Sequence, residues 1–241
     1  MLLLANSLVD GFIKSNLIGQ GIVVAQLLTS VLMVAVAIGK FKELGFLRVA
    51  THRFQHDFSS EHDILGYYFS RRPGRDATAL EGIYAQTCER LLKLLTPDIR
   101  AQLLGHNGAA TMSALTAHEV ELVKGTCEHA LDAEEIKLSH GMTIIATVVA
   151  LAPMLGLLGT VWGVLDAFAE MGTAGSANLA TIAPSISAAL VTTVVGLLIA
   201  IPGVICFNCM TSIIRDLSSD MEAFVDELMG RIACEFQGHG A

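Results

Sequence analysis

The charges missing from this chain constrain its fold more than any residue it contains. From Met171 to Ile214 no Asp, Glu, Lys or Arg appears for 44 residues. Two further uncharged runs, Ser15 to Gly39 and Gly141 to Leu165, are 25 residues long each. A helix rises about 1.5 Å per residue, so 25 residues reach roughly 38 Å and exceed a hydrocarbon core of about 30 Å. The longest run is too long for one span, and Gly172, Thr173, Gly175, Ser176 and Asn178 at its start read as a loop. The sequence therefore predicts an all-α membrane protein whose long helices extend into the cytoplasm. Transmembrane helices are expected at 17–39, 141–166 and 183–209. Around them lie a short outer N-terminus (1–16), a cytoplasmic helical domain (40–140), a short outer link (167–182) and a cytoplasmic C-terminal helix (210–241).

Two other readings of the apolar runs are weaker. A cleaved signal peptide carries an apolar core of about 7–15 residues, shorter than the first run, which Lys40 and Lys42 follow directly. Buried helices of a soluble protein would normally show a charged face, and these show none. Composition agrees. Charged residues make up 16% of the chain, where soluble domains run near ~25%. A net charge of −8 and the lack of clustered Lys/Arg argue against a nucleic-acid partner and leave the lipid bilayer as the expected surrounding.

Orientation follows from Lys and Arg. Of 15 such residues, 12 lie between Lys40 and Lys137, Arg215 and Arg231 follow the third span, and only Lys14 lies on the other side. The membrane-proximal Lys40, Lys42, Arg48, Lys137 and Arg215 agree in placing 40–140 and the C-terminus in the cytoplasm. Cys88, Cys127 and Cys234 then fall where thiols stay reduced, and the total of five is odd. Cys206-x-x-Cys209 lacks a second ligand pair and reads as apolar helix packing.

In the middle segment, Pro73-Gly74 and Gly105–Gly108 are the breaks. Leu80, Ile83, Tyr84, Cys88, Leu91, Leu94 and Leu95 repeat at helical spacing, as do Leu115, Leu122, Val123, Cys127, Ala130 and Leu131. The pattern runs on toward the second span, so one rod from 113 to 165 is expected. In the tail, Ile214, Leu217, Met221, Phe224, Val225, Leu228 and Ile232 form a further stripe. Such stripes must pack, either within one subunit or as an oligomeric bundle. No phosphate loop, metal-ligand spacing or nucleophile elbow accompanies them. His52, His56 and His62 read as solvated, no metal or cofactor is expected, and the chain is not expected to be an enzyme.

The chemistry lies in the spans. Gly156, Gly159, Thr160 and Gly163 share one face of the second, and Gly159-x-x-x-Gly163 is a small-xxx-small contact that lets helices approach in lipid. Ser185, Ala189, Thr192, Gly196, Ala200 and Gly203 form a matching face on the third, with Thr193 beside it. Thr160, Thr192 and Thr193 could each bond a carbonyl of their own helix, or could line a wet channel built from several copies. No Asp, Glu, Lys or Arg lies inside any span. A proton crossing here needs a titratable group from elsewhere. Asp166 at the outer end of the second span is a solvated carboxylate or an entry-point charge.

The run Pro153 to Gly163, with Leu158-Gly-Thr-Val-Trp-Gly inside it, resembles the MotA/TolQ/ExbB proton-channel family. So do Asn178-Leu-Ala-x-x-Ala183-Pro184, Thr193-x-x-Gly196-Leu197 and Ala200-Ile-Pro202. The likeness is strong over about 139–236, and the layout of three spans extends it along the chain. Within the family the TolQ branch is most similar, through the short outer N-terminus and the tail from Met221 to Leu228, with ExbB the near competitor.

The resemblance implies an inner-membrane stator, a homopentamer around the transmembrane helices of two single-span TolR- or ExbD-like partners whose Asp carries the proton. It also implies service to a TolA- or TonB-like protein. It makes Thr160 and Thr193 channel threonines, with Thr192 and Ser187 beside the path, and gives Gly156, Gly159, Gly163, Gly196, Pro153 and Pro184 packing roles. One departure stands out: where the family commonly has a Glu after the Ala-Pro pair, this chain has Ala188. A non-conducting membrane scaffold is the competing expectation. A small-molecule transporter is disfavoured by three spans and no internal repeat.

Overall fold

The computed structural model describes residues 16–61, 63–70, 78–95, 115–174 and 179–236. Lys14, Pro73-Gly74, Gly105–Gly108 and the loop residues 175–178 lie outside them. The described residues form helices α1 (Leu17–Ser60), α2 (Ile64–Ser70), α3 (Ala79–Leu94), α4 (Ala117–Ser139), α5 (Met142–Ala174) and α6 (Leu179–Phe236), with no strand among them. Three helical stretches are long and apolar enough to cross a membrane, within Leu17–Ser60, Ala117–Gly172 and Ile182–Phe236.

The single rod expected from 113 to 165 does not form. The helix α4 stops at Ser139, where the His140 N–H donates to the Lys137 carbonyl at 3.1 Å. Gly141 then takes φ +84° before α5 begins. A left-handed residue costs about 1–2 kcal/mol with a side chain and little without one, so glycine permits the break. At its other end α5 continues past Asp166 to Ala174.

The chain divides into two compact units. The first comprises Met1–Phe41 and Gly141–Thr211. Its large apolar side chains point outward: Leu28, Val31, Met154, Leu157, Val161, Leu165, Leu198 and Ile201 are all 60% exposed or more. Its interior holds Ile145, Met210 and a few other large side chains, but Ala152, Ala188, Ala189 and Ala200 are buried with them. A water-soluble domain does the reverse. Lipid supplies no hydrophobic drive for burying leucine, so close approach of small residues holds such helices together.

The second unit, Lys42–His140 with Ser212–Ala241, is built like a soluble bundle. Leu80, Ile83, Cys88 and Leu91 of α3 are fully buried, as are Val123 and Cys127 of α4 and Leu228 and Ile232 of α6. The apolar stripe of the tail is thus covered within one subunit. Leu122, expected on that buried face, is exposed. Phe54, Phe58, Tyr67, Tyr84 and Phe224 form one cluster in which Phe54 and Phe58 lie nearly parallel and the other contacts are steeply inclined, with the Phe58 and Phe224 rings 5.1 Å apart. The Tyr84 hydroxyl donates to the Ile64 carbonyl.

Two capping boxes start α3 and α4, Thr78 with Glu81 and Thr116 with Glu119. Arg231 donates to the carbonyls of Phe58 (3.2 Å) and Glu61 (2.9 Å) while its guanidinium lies 4.6 Å from the Phe58 ring centre. It satisfies the end of α1 and covers an aromatic face at once. Burial pushes the Cys88 thiol up to about 12 and raises that of Cys127.

Candidate functional site

The small-residue face of α5 meets that of α6. A Cβ placed on Gly156 would lie 2.9 Å from the Thr193 Cα, one on Gly159 2.7 Å from the Thr192 Cβ, and one on Gly163 2.5 Å from the Ala189 Cβ. Contacts this short leave no room for a methyl group, so the three glycines set the distance between the helices. Gly196 plays the same part from the other side: a Cβ there would come within 2.5 Å of the Ala152 carbonyl oxygen. Gly203 does so against Val149 and Met33.

That proximity brings hydroxyls to a foreign carbonyl. Thr193 Oγ1 donates to the Gly156 oxygen at 2.9 Å. Thr192 Oγ1 is buried within reach of the same oxygen, at 3.0 Å, and of the Ala189 carbonyl of its own helix at 2.7 Å. Thr160 is different. Its hydroxyl donates to Leu157 of its own helix at 2.7 Å and takes no part in the junction. Ser187 is exposed, whereas Ala188 is buried and lines a cavity of about 10 Å³ with Asn16, Gly19, Gly159, Trp162, Gly163, Ser185 and Ala189. That volume is near one water-sized sphere. Beyond it, Ser185 Oγ bonds the exposed Glu170 carboxylate at 3.1 Å.

Pro153 sits inside α5 and Pro184 and Pro202 inside α6. Each deprives its helix of one N–H, a loss that buried helices in a membrane tolerate through neighbouring groups. Pro153 falls between two carbonyls, Ala152 and Gly156, that side chains of other helices use.

The residue that sequence reasoning missed is Gln26. Its side chain is fully buried, and both amide hydrogens are used: Nε2 lies 3.0 Å from the Ala152 oxygen on α5 and 3.3 Å from the Thr192 oxygen on α6. Its Oε1 is buried with no hydrogen-bond partner, a state that costs about 1–3 kcal/mol. Counting charges alone hid it. A scan for long polar side chains inside uncharged runs would have found Gln20 and Gln26 in the first span.

Among the described residues no group of three His, Cys, Asp or Glu side chains could hold a metal ion. His52 and His56 are exposed, and His62 lies outside the described residues. The five cysteines are free thiols, with Cys206 half-buried and Cys209 exposed.

Apolar helices that turn large side chains outward and meet through glycine and threonine define a polytopic helical membrane protein. The profile of the MotA/TolQ/ExbB proton channel family matches residues 99–223, just over half the chain, and the chain belongs to that family. It is similar to the "Biopolymer transport protein ExbB" of Xanthomonas campestris pv. campestris, 39% identical over 108 residues, which are 45% of this chain and 43% of that protein. It is also similar to the "Tol-Pal system protein TolQ" of Haemophilus influenzae, 28% identical over 221 residues and 90% of both chains. TolQ of Pseudomonas aeruginosa is 41% identical over 98 residues, 41% of this chain and 42% of that one. The chain thus spans less than half the length of the Xanthomonas relative it matches.

Proposed function

We propose that this protein is a TolQ-like stator subunit of the bacterial inner membrane, which conducts protons together with a single-span TolR- or ExbD-like partner. In this reading, five copies surround the membrane helices of two such partners, whose aspartate carries the proton. The flux would energise an envelope process of the Tol-Pal type, acting through a TolA-like protein. The N-terminus lies in the periplasm and the C-terminus in the cytoplasm.

The observation that carries the reading is the α5–α6 junction, where Thr192 and Thr193 meet the Gly156 carbonyl in spans with no Asp, Glu, Lys or Arg except Asp166 at the outer end. A path lined only by hydroxyls and carbonyls can hold water and orient it. It cannot hold a proton on itself, so the carrier must come from a partner. The full-length likeness to a TolQ supports the Tol-Pal assignment, while the identities to ExbB proteins leave TonB-dependent import as the alternative role.

A non-conducting scaffold is the second reading, favoured by Ala188, which puts a methyl group where the family commonly carries a carboxylate. Purification of the tagged full chain from its own membranes tests the proposal. A copurifying protein with one apolar span and an Asp within it is the expected result. Recovery of the chain alone, as a stable oligomer, points to the scaffold. In the conducting complex Ala188→Glu is expected to raise proton flux.

A further inference from the structure

We infer that Gln26 is a positioning residue of the proton path, acting through the backbone of both helices that carry it. The inference rests on the conducting role proposed above. The two amide hydrogens of Gln26 reach one carbonyl on each helix, Ala152 at 3.0 Å and Thr192 at 3.3 Å. Thr192 is the residue whose hydroxyl reaches the Gly156 carbonyl, and Ala152 lies one helical turn before Gly156. Gln26 therefore links the two turns between which the threonine hydroxyls span. The room for its amide comes from Gly196, where a Cβ would stand 2.9 Å from Nε2.

Packing stability does not explain this amide. Carbonyls inside a helix already accept from their own helix, so extra donors add little. Meanwhile Oε1 stays buried without a donor, and an apolar side chain of similar size would avoid that penalty. A first span selected only to pack would carry leucine here. The glutamine holds α5 and α6 in the register at which Thr193 Oγ1 meets the Gly156 oxygen, 2.9 Å away. Geometry of this kind matters to a path in which water and hydroxyls must align, since small misplacements cost large factors in transfer rates.

The test uses the full chain with its copurified partner in proteoliposomes carrying a pH-sensitive dye. Gln26→Leu is expected to keep the melting temperature and the oligomer of the parent while proton flux falls about tenfold. Gln26→Glu supplies the conservative rescue. Protonated, it has one O–H to donate to a carbonyl; ionised, it faces two carbonyl oxygens with a charge. Its flux should climb toward the parent value as pH falls, a slope that Gln26→Leu does not show. Flux in Gln26→Leu within about twofold of the parent overturns the inference. So does a loss that tracks lower melting temperature in Gln26→Leu, with no pH slope in Gln26→Glu, because the amide is then structural only. If the parent complex itself passes no protons, the proposed function fails first and takes this inference with it.

Discussion

Thr193 on α6 donates its hydroxyl proton to the Gly156 carbonyl of α5 at 2.9 Å, across an interface where a single added methyl group would collide. One residue earlier, Thr192 reaches the same oxygen at 3.0 Å. Two hydroxyls within reach of one buried carbonyl make this a polar point in an otherwise apolar stretch of the interface. It exists because glycines on α5 stand opposite threonine and alanine on α6.

Replacing Thr192 by valine keeps the shape and removes the hydroxyl. Hydrogen bonds between membrane helices average about 0.6 kcal/mol and reach about 1.7, so Thr192→Val should lower the melting temperature in detergent by a few degrees. Thr147→Val is the control, because that hydroxyl bonds Thr143 of its own helix at 2.7 Å on an exposed face. Equal shifts for the two variants would contradict the junction.

The glycine contacts give a steeper outcome. Gly159→Leu must push α5 away from Thr192, and overpacking of this kind costs typically about 1–3 kcal/mol. Gly39→Ala, on α1 with nothing within 4 Å of an added Cβ, should be neutral or slightly stabilising. Thermal unfolding of the purified variants separates them.

In the second unit, burial and the Asp63 carboxylate push Glu235 up to about 7 from an ordinary value of 4.5. The folded chain therefore keeps a proton that the unfolded chain has released, and stability is fully present below about 4.5 and lost as pH rises through about 7. Melting temperatures taken across that window should fall with rising pH in the parent. In Glu235→Gln the slope should be shallower, and an unchanged slope would place the titration elsewhere.

Thiol labelling reports both burial and orientation. Cys88 and Cys127 are buried with raised thiols and should resist maleimides in the folded protein, while the exposed Cys234 should react. With a membrane-impermeant maleimide, Cys234 should be labelled in inverted vesicles and spared in intact spheroplasts. The opposite pattern would reverse the proposed topology.

Much of this was legible because membrane helices have few ways to pack. Charge gaps marked the apolar helices, and small residues at steps of three and four marked the faces that meet, down to Gly156, Gly159, Gly163 and Gly196. Where the sequence misled, one residue decided the matter. Gly141 reads as a tolerated glycine in a continuous pattern, yet α4 ends where His140 turns extended and Gly141 takes φ +84°. At Thr160 the pattern leaves two outcomes open, and the hydroxyl bonds Leu157 of its own helix, three residues back. Gln26 carries no charge and belongs to no repeat, so only its polar amide among apolar neighbours marks it in the sequence. The aromatic cluster joins Phe54, Tyr84 and Phe224, which are too far apart in sequence for periodicity to connect.

In the proposed function, protons cross beside the Thr193–Gly156 junction on a carrier supplied by a partner. Proton flux into proteoliposomes holding the full chain and its copurified single-span partner tests it most directly, comparing the parent with Thr193→Val. Partner-dependent flux is expected in the parent and about a tenfold loss in the variant, with the oligomer intact. Undiminished flux through Thr193→Val, or equal flux with the partner left out, would contradict it.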